Sequence, residues 1–262
     1  MLRSVVLLKQ VPADPAAALK SDYTIDRANA SKVINPADLS ALDMAMEWKN
    51  NVGGSVICLT MGPASAADCL QEAAMAGADA LYHICDPNIA GADSLVTAQI
   101  LSRAIQKLGQ VDLVLCGTRS TDGETGQVGT ELSVMMGFSC LSEVIQIEAI
   151  DSDMLRCLCR EDDGISRYIV NRPAVLCVCP CRHAEMLPTL ACLRRAAKIP
   201  IAVLSLAELG LVQFSAKDAS PTRVVRVRRM ERGSRHVTWL EQDAIQAAAI
   251  IRGEIKKYDD GY

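Results

Sequence analysis

From Met1 to about Gly137, short β-rich apolar runs alternate with longer amphipathic stretches, the pattern of a parallel sheet covered by helices. The runs predict strands at residues 4–8, 55–59, 80–85 and 113–116, and the stretches between them predict helices near 37–50, 64–76, 94–108 and 127–136. Asn35-Pro36 and Gly62-Pro63 each place a proline where a first helical turn needs no N–H donor. After Gly137 the rhythm shortens. Residues 142–150, 154–160, 165–170 and 174–179 are separated only by short polar turns such as Asp162-Asp163-Gly164, which predicts an antiparallel meander. A helix near Pro188, an irregular stretch with Ser220-Pro221, a basic run over 223–235 and a terminal helix over 239–257 complete the expectation. The fold class is therefore α/β with an antiparallel extension. Residues 1–200 are expected as the main domain and 201–262 as a C-terminal extension that packs on a partner rather than on its own domain.

Half of the residues are hydrophobic, yet charged residues interrupt every apolar stretch well short of the ~20 residues a membrane span needs. No membrane span is expected, and the opening segment reads as a buried strand rather than a signal peptide. The 27 basic and 31 acidic residues give no broad positive footprint, and aromatics make up only 3%, so nucleic-acid binding is not expected. The eleven cysteines lack framework spacing and contain no CxxC pair, which points to reduced thiols and a cytoplasmic setting. Cys157 and Cys159 alternate at strand period, as do Cys177, Cys179 and Cys181, so core packing is expected in preference to a metal site.

The segment richest in chemistry runs from Asp112 through Cys116-Gly117-Thr118-Arg119-Ser120-Thr121-Asp122-Gly123-Glu124-Thr125-Gly126-Gln127-Val128-Gly129. A strand leads into a glycine-rich turn and then into a helix. At the carboxyl edge of a parallel sheet such a turn offers backbone N–H groups and a helix N-terminus to a phosphate. It is neither a Walker A loop nor GxGxxG. Gly123, Gly126 and Gly129 would permit close backbone approach, Thr125 and Gln127 would add side-chain donors, and Asp122 could cap the helix or grip a ribose hydroxyl. A plain capped turn fits the same residues.

Four further stretches stand in order with this loop: Leu8-Lys9-Gln10-Val11-Pro12; Asn35-Pro36-Ala37-Asp38 with Ala41-Leu42; Met61-Gly62-Pro63; and Ala76-Gly77-Ala78-Asp79 followed by Gly91-Ala92-Asp93 and Thr97-Ala98. Together the set resembles the electron-transfer flavoprotein β subunit family over most of the chain. The resemblance implies a Rossmann-like domain, tight pairing with an α subunit as a heterodimer, and a nucleotide held among Lys9, Val11, Asn35, Asp38, Met61, Asp93, Thr97, Gly117 and the loop residues Asp122, Gly123, Thr125, Gly126, Gln127, Val128 and Gly129. It implies no side chain acting as acid or base. In one branch of the family the β subunit holds AMP as a structural ligand; in the electron-bifurcating branch it holds FAD, with NADH as a possible donor. The pattern Asp122-Gly123-x-Thr125-x-Gln127-Val128-Gly129 resembles the FAD branch, although Glu124 replaces a usual aspartate, Gly126 a common alanine and Thr130 a common proline.

The stretch from Leu187 to Lys198 resembles the family's partner-recognition loop, with Leu190 at the position that docks on an acyl-CoA dehydrogenase-type acceptor. The same leucines, Leu187, Leu190 and Leu193, would also suit the buried stripe of an amphipathic helix. A stand-alone nucleotide-binding regulatory module is the alternative of another class, since this α/β layout serves that role too.

Overall fold

The computed structural model describes residues 2–14, 31–151, 153–180, 188–224, 239–240 and 243–259. Among the described residues eleven strands appear in chain order: β1 Leu2–Leu8, β2 Gln10–Pro12, β3 Lys32–Ile34, β4 Gly54–Met61, β5 Ala80–Ile84, β6 Leu113–Gly117, β7 Ser139–Ile150, β8 Met154–Glu161, β9 Gly164–Asn171, β10 Ala174–Val178 and β11 Ile201–Leu204. The α-helices are α1 Pro36–Val52, α2 Ala67–Ala76, α3 Ser94–Leu108, α4 Val128–Met136, α5 Leu190–Ala196, α6 Ala216–Ala219 and α7 Ala244–Asp259. Nine strands form one sheet in the order β11-β5-β4-β1-β6-β10-β7-β8-β9, while β2 and β3 pair antiparallel beside it. β1, β4, β5, β6, β10 and β11 are parallel, so Leu8, Met61, Ile84, Gly117, Val178 and Leu204 end on one edge.

The central strands are apolar on both faces because helices cover both. In β1, Val6 and Leu8 join Ala41 and Leu42 of α1 and Leu70 of α2 in one core; Val5 and Leu7 join Ile100 and Ile105 of α3 and Leu132 of α4 in the other. The period-2 alternation repeats in β6, where Leu113 and Leu115 face the first core and Val114 and Cys116 the second. α1 follows β1 on one face and α4 follows β6 on the opposite face. Since β1 and β6 are neighbours, the chain's direction of winding reverses between them, which makes their carboxyl ends a topological switch point.

The meander is corrected by the structure in one respect. Only β7, β8 and β9 form an antiparallel ladder, whereas β10 lies parallel between β6 and β7 in the central sheet. β10 is apolar at every position and buried throughout, as a strand covered on both faces must be. β7 changes role partway along. Its first half pairs with β10, and irregular register around Val144, with Glu143 at φ 53°, carries it into pairing with β8. Ile147, Leu155, Cys157 and Cys159 then join the core shared with α1 and α2.

The chain divides into two compact units, Met1–Val227 and Arg228–Tyr262. β11 extends the sheet beside β5, and α6 follows it, both within the first unit. In the second unit α7 starts five residues later than position 239 and exposes Ile245, Ile250, Ile251 and Ile255. Leu187, Cys181 and positions 225–235 of the basic run lie outside the described residues. No helix among the described residues is long and apolar enough to cross a membrane.

Candidate functional site

At the switch point, the first turn of α1 reaches under two loops. Asp38 is 6% exposed and its carboxylate accepts the Lys9 amide at 2.8 Å through Oδ2 and the Gly117 amide at 2.8 Å through Oδ1. Burial raises the Asp38 carboxyl to about 6, against the hydrogen bonds from Gly117, Lys9 and Asn35 that pull it down. Asn35, 1% exposed, donates its main-chain N–H to Lys9 O at 2.9 Å and its side-chain Nδ2 to Arg119 O at 2.9 Å, and its Oδ1 accepts the Thr121 amide at 3.3 Å. Above them Lys9 Nζ donates to Ser120 Oγ at 3.0 Å and to Asp122 Oδ1 at 2.6 Å. Asp122 is therefore an ion-pair partner of Lys9; the cap position of α4 is held by Gln127, without a side-chain cap bond.

The second part of the loop is different. Gly123, Glu124, Thr125, Gly126 and Gln127 are exposed, and Gly126 has φ 64°, a conformation glycine adopts without a steric penalty. Among the described residues, the main-chain amides of Thr125, Gly126, Gln127 and Val128 donate no hydrogen bond. They lie where the chain enters α4, whose first-turn N–H groups have no acceptor within the helix. Beneath them, the Thr118 hydroxyl is buried with no partner among the described residues. The arrangement is an open row of donors beside a helix N-terminus, suited to a phosphate or pyrophosphate.

Not every glycine of the segment serves that opening. A Cβ on Gly117 would sit 2.6 Å from Ala37 Cβ and 2.6 Å from Asp38 Oδ1, and one on Gly129 would sit 2.4 Å from Cys177 Sγ and 2.8 Å from Cys116 Sγ. Gly117 lets α1 close against the end of β6, and Gly129, which is buried, lets α4 seat on the two thiols of β6 and β10.

α3 brings a second helix N-terminus close by. Ser94 Oγ lies 3.1 Å from Gln127 Oε1 and 3.2 Å from Glu131 Oε1. A hydroxyl has one proton to donate, so Ser94 donates to Gln127 Oε1 or to Glu131 Oε1 at any one time. Ser94 thereby ties α3 to α4. Asp93 caps α3 through Val96 N at 3.0 Å and also accepts Thr222 N at 3.0 Å and Thr222 Oγ1 at 2.8 Å. Its carboxylate is occupied within the chain.

The structure thus gathers Lys9, Asn35, Asp38, Gly117, Asp122, Gly123, Thr125, Gly126, Gln127, Val128 and Gly129 around one switch point, with Asp93 and half-buried Thr97 at the start of α3 joined to it through Ser94. Met61 ends β4 on the same sheet edge, and Val11 is buried in the β2–β3 pair. Leu190 stands apart on α5. It is 61% exposed, Leu193 is also exposed, and no residue of α5 is buried, which rules out the buried-stripe alternative for the described part of that segment. Thr118, Ser120 and Ser94 carried no sequence signal, because serine and threonine are ordinary in loops and caps.

Comparison with known proteins adds to this geometry. A family model described as electron transfer flavoprotein domain matches residues 22–209. The electron transfer flavoprotein subunit beta of Thermoanaerobacterium thermosaccharolyticum is 36% identical over 173 residues, which cover 66% of each chain. The protein FixA of Azorhizobium caulinodans is 32% identical over 232 residues, 85% of this chain and 83% of that one. The caffeyl-CoA reductase-Etf complex subunit CarD of Acetobacterium woodii is 31% identical over 229 residues, 86% of this chain and 87% of its own.

Proposed function

Because the chain belongs to the electron transfer flavoprotein family as a β-type subunit, we propose that its switch point holds FAD and that it passes electrons only as a heterodimer with a flavoprotein α subunit. The observation that carries the FAD reading is the row of amides at Thr125, Gly126, Gln127 and Val128 at the entry to α4, exposed up to Gln127 and without a partner among the described residues. Two consecutive phosphates need more donors along a line than one does, and the left-handed Gly126 keeps that line open. Lys9 supplies a cation beside the loop. FAD, when bound, supplies the redox chemistry. The chain's own residues bind it, orient it and exclude water; none of them need act as an acid or base. NADH as donor and division of its electrons along two paths are the corresponding functional proposals.

The acceptor proposed is an acyl-CoA dehydrogenase-type flavoprotein docked at Leu190. Two relatives are named as parts of CoA-ester reductase systems, CarD and the acryloyl-CoA reductase electron transfer subunit gamma of Anaerotignum propionicum. An exposed leucine beside Arg194 and Arg195 supplies an apolar anchor with a charged rim. The C-terminal unit, with its exposed isoleucines on α7, is proposed to pack on the α subunit, and the complex is proposed to work in the cytoplasm.

The test is the nucleotide content of the purified heterodimer. We expect two flavins per complex in the wild type and one in Gly126→Leu, whose side chain meets both the left-handed backbone and Thr118 O, 3.3 Å from the glycine's Cβ position. One flavin with extractable AMP in the wild type would replace FAD by AMP in this subunit.

A further inference from the structure

We infer that Asn35 and Asp38 are positioning residues: they clasp the loop after β6 to the end of β1 and thereby set the open amides for the ligand. The inference rests on the nucleotide reading above. It starts from occupancy. Both carboxylate oxygens of Asp38 already accept main-chain amides, Lys9 on one side of the switch point and Gly117 on the other. The Asn35 side-chain NH₂ donates to Arg119 O and also hydrogen-bonds Asp38, its Oδ1 accepts the Thr121 amide, and its main-chain N–H reaches Lys9 O. Five hydrogen bonds from two adjacent turns of chain thus join β1 to the first half of the β6 loop. Both residues are buried beneath that loop.

The packing leaves no slack in this clasp. Asp38 Oδ1 and Ala37 Cβ fill the space that a side chain at residue 117 would take. A displacement of α1 would therefore move Gly117 and, through Arg119 and Thr121, the start of the loop that leads to Gly126. Lys9 adds the outer strap, since the residue whose amide Asp38 holds also sends its Nζ to Ser120 and Asp122.

A buried acid that accepts from two amides has a consequence for pH. The charged or titratable groups facing it are Lys9 from the end of β1, itself paired with Asp122, and the neutral Cys69 thiol of α2, whose proton the Asp38 charge helps retain. Ionised, Asp38 offers acceptors to both amides; protonated, one oxygen becomes a donor and the double clasp weakens. Burial raises its titration to about 6, so the change falls between pH 7 and pH 5. Because the folded value lies above the ordinary 3.8, Asp38 favours folding most at low pH, and that contribution is lost as pH rises through about 6. The ionised form is held at neutral pH at a cost to stability, which separates its positioning role from a stabilising one.

The experiment titrates the full chain, stripped of nucleotide, with FAD and with AMP between pH 5 and pH 8 by calorimetry, for wild type, Asp38→Asn and Asn35→Ala. Wild-type affinity should fall by about five- to tenfold from pH 7 to pH 5, the fall expected when a group titrating near 6 loses a hydrogen bond of the strength a charged acceptor makes. Asp38→Asn, which mimics the protonated form, should be weak and flat across that range. Asn35→Ala should weaken binding and move the pH dependence upward, because it removes a hydrogen bond that lowers the Asp38 titration. Comparing variant with wild type on the same ligand removes the ligand's own titration. Wild-type affinity and wild-type pH dependence in either folded variant would overturn the clasp while leaving the nucleotide reading intact. A wild-type chain that binds neither FAD nor AMP at any pH would overturn the nucleotide reading itself.

Discussion

The two halves of the loop after β6 are built on opposite principles. In the first half, the Gly117 amide goes to Asp38, the Thr118 amide to Val178 O and the Thr121 amide to Asn35, and the Arg119 carbonyl is held as well. In the second half, four successive amides from Thr125 to Val128 have no partner among the described residues, and Gly123 to Gln127 are exposed. A backbone donor left without a partner is tolerated only where water or a ligand can reach it. The contrast separates frame from site within a dozen residues: the chain satisfies itself where it must be rigid and leaves donors open where something else is to bind.

The largest expected effect comes from breaking the frame. Gly117→Ala would drive a methyl into Ala37, the Asp38 carboxylate and the Asp38 main chain, none of which can give way without moving α1. We expect a loss of about 3 kcal/mol or more of folding stability, at the upper end for overpacking. Urea denaturation measures it, and a variant as stable as wild type would show that the α1–β6 contact is looser than described. A smaller effect is expected well away from the loop. Leu190→Ala should weaken acceptor binding by about 2 kcal/mol, as truncation of an interface anchor does. It should leave folding and nucleotide content unchanged, since the side chain is exposed on α5. Acceptor reduction rates against acceptor concentration give the affinity; lost solubility or lost nucleotide would mean that Leu190 supports the fold.

Much of this contrast was legible in the sequence, and the parts that were not have identifiable causes. Regular amphipathic elements announced themselves: residues 94–108 were predicted as a helix and are one, and Asn35-Pro36 marked the start of α1. The position of β10 was hidden, because a strand following three meander strands by a short turn reads locally as a fourth, and only tertiary pairing moves it to the centre of a parallel sheet. The glycines were visible, but their separate duties were not. Gly126 faces outward with a left-handed backbone, whereas Gly117 and Gly129 exist to admit Asp38 and two thiols that lie far away in sequence. Asp38 and Asn35 were singled out as ligand contacts by resemblance. They turn out to hydrogen-bond Lys9, Gly117, Arg119 and Thr121, partnerships that no spacing rule reveals.

Hydrogen–deuterium exchange of the heterodimer, with and without bound nucleotide, tests the division between frame and site most directly, because it reports on amides one segment at a time. Nucleotide should slow exchange at residues 123–129 and leave the amides of Gly117, Thr118 and Thr121, already bonded within the chain, unchanged. Protection confined to residues 117–121, or no change anywhere in the loop when nucleotide binds, would contradict that division.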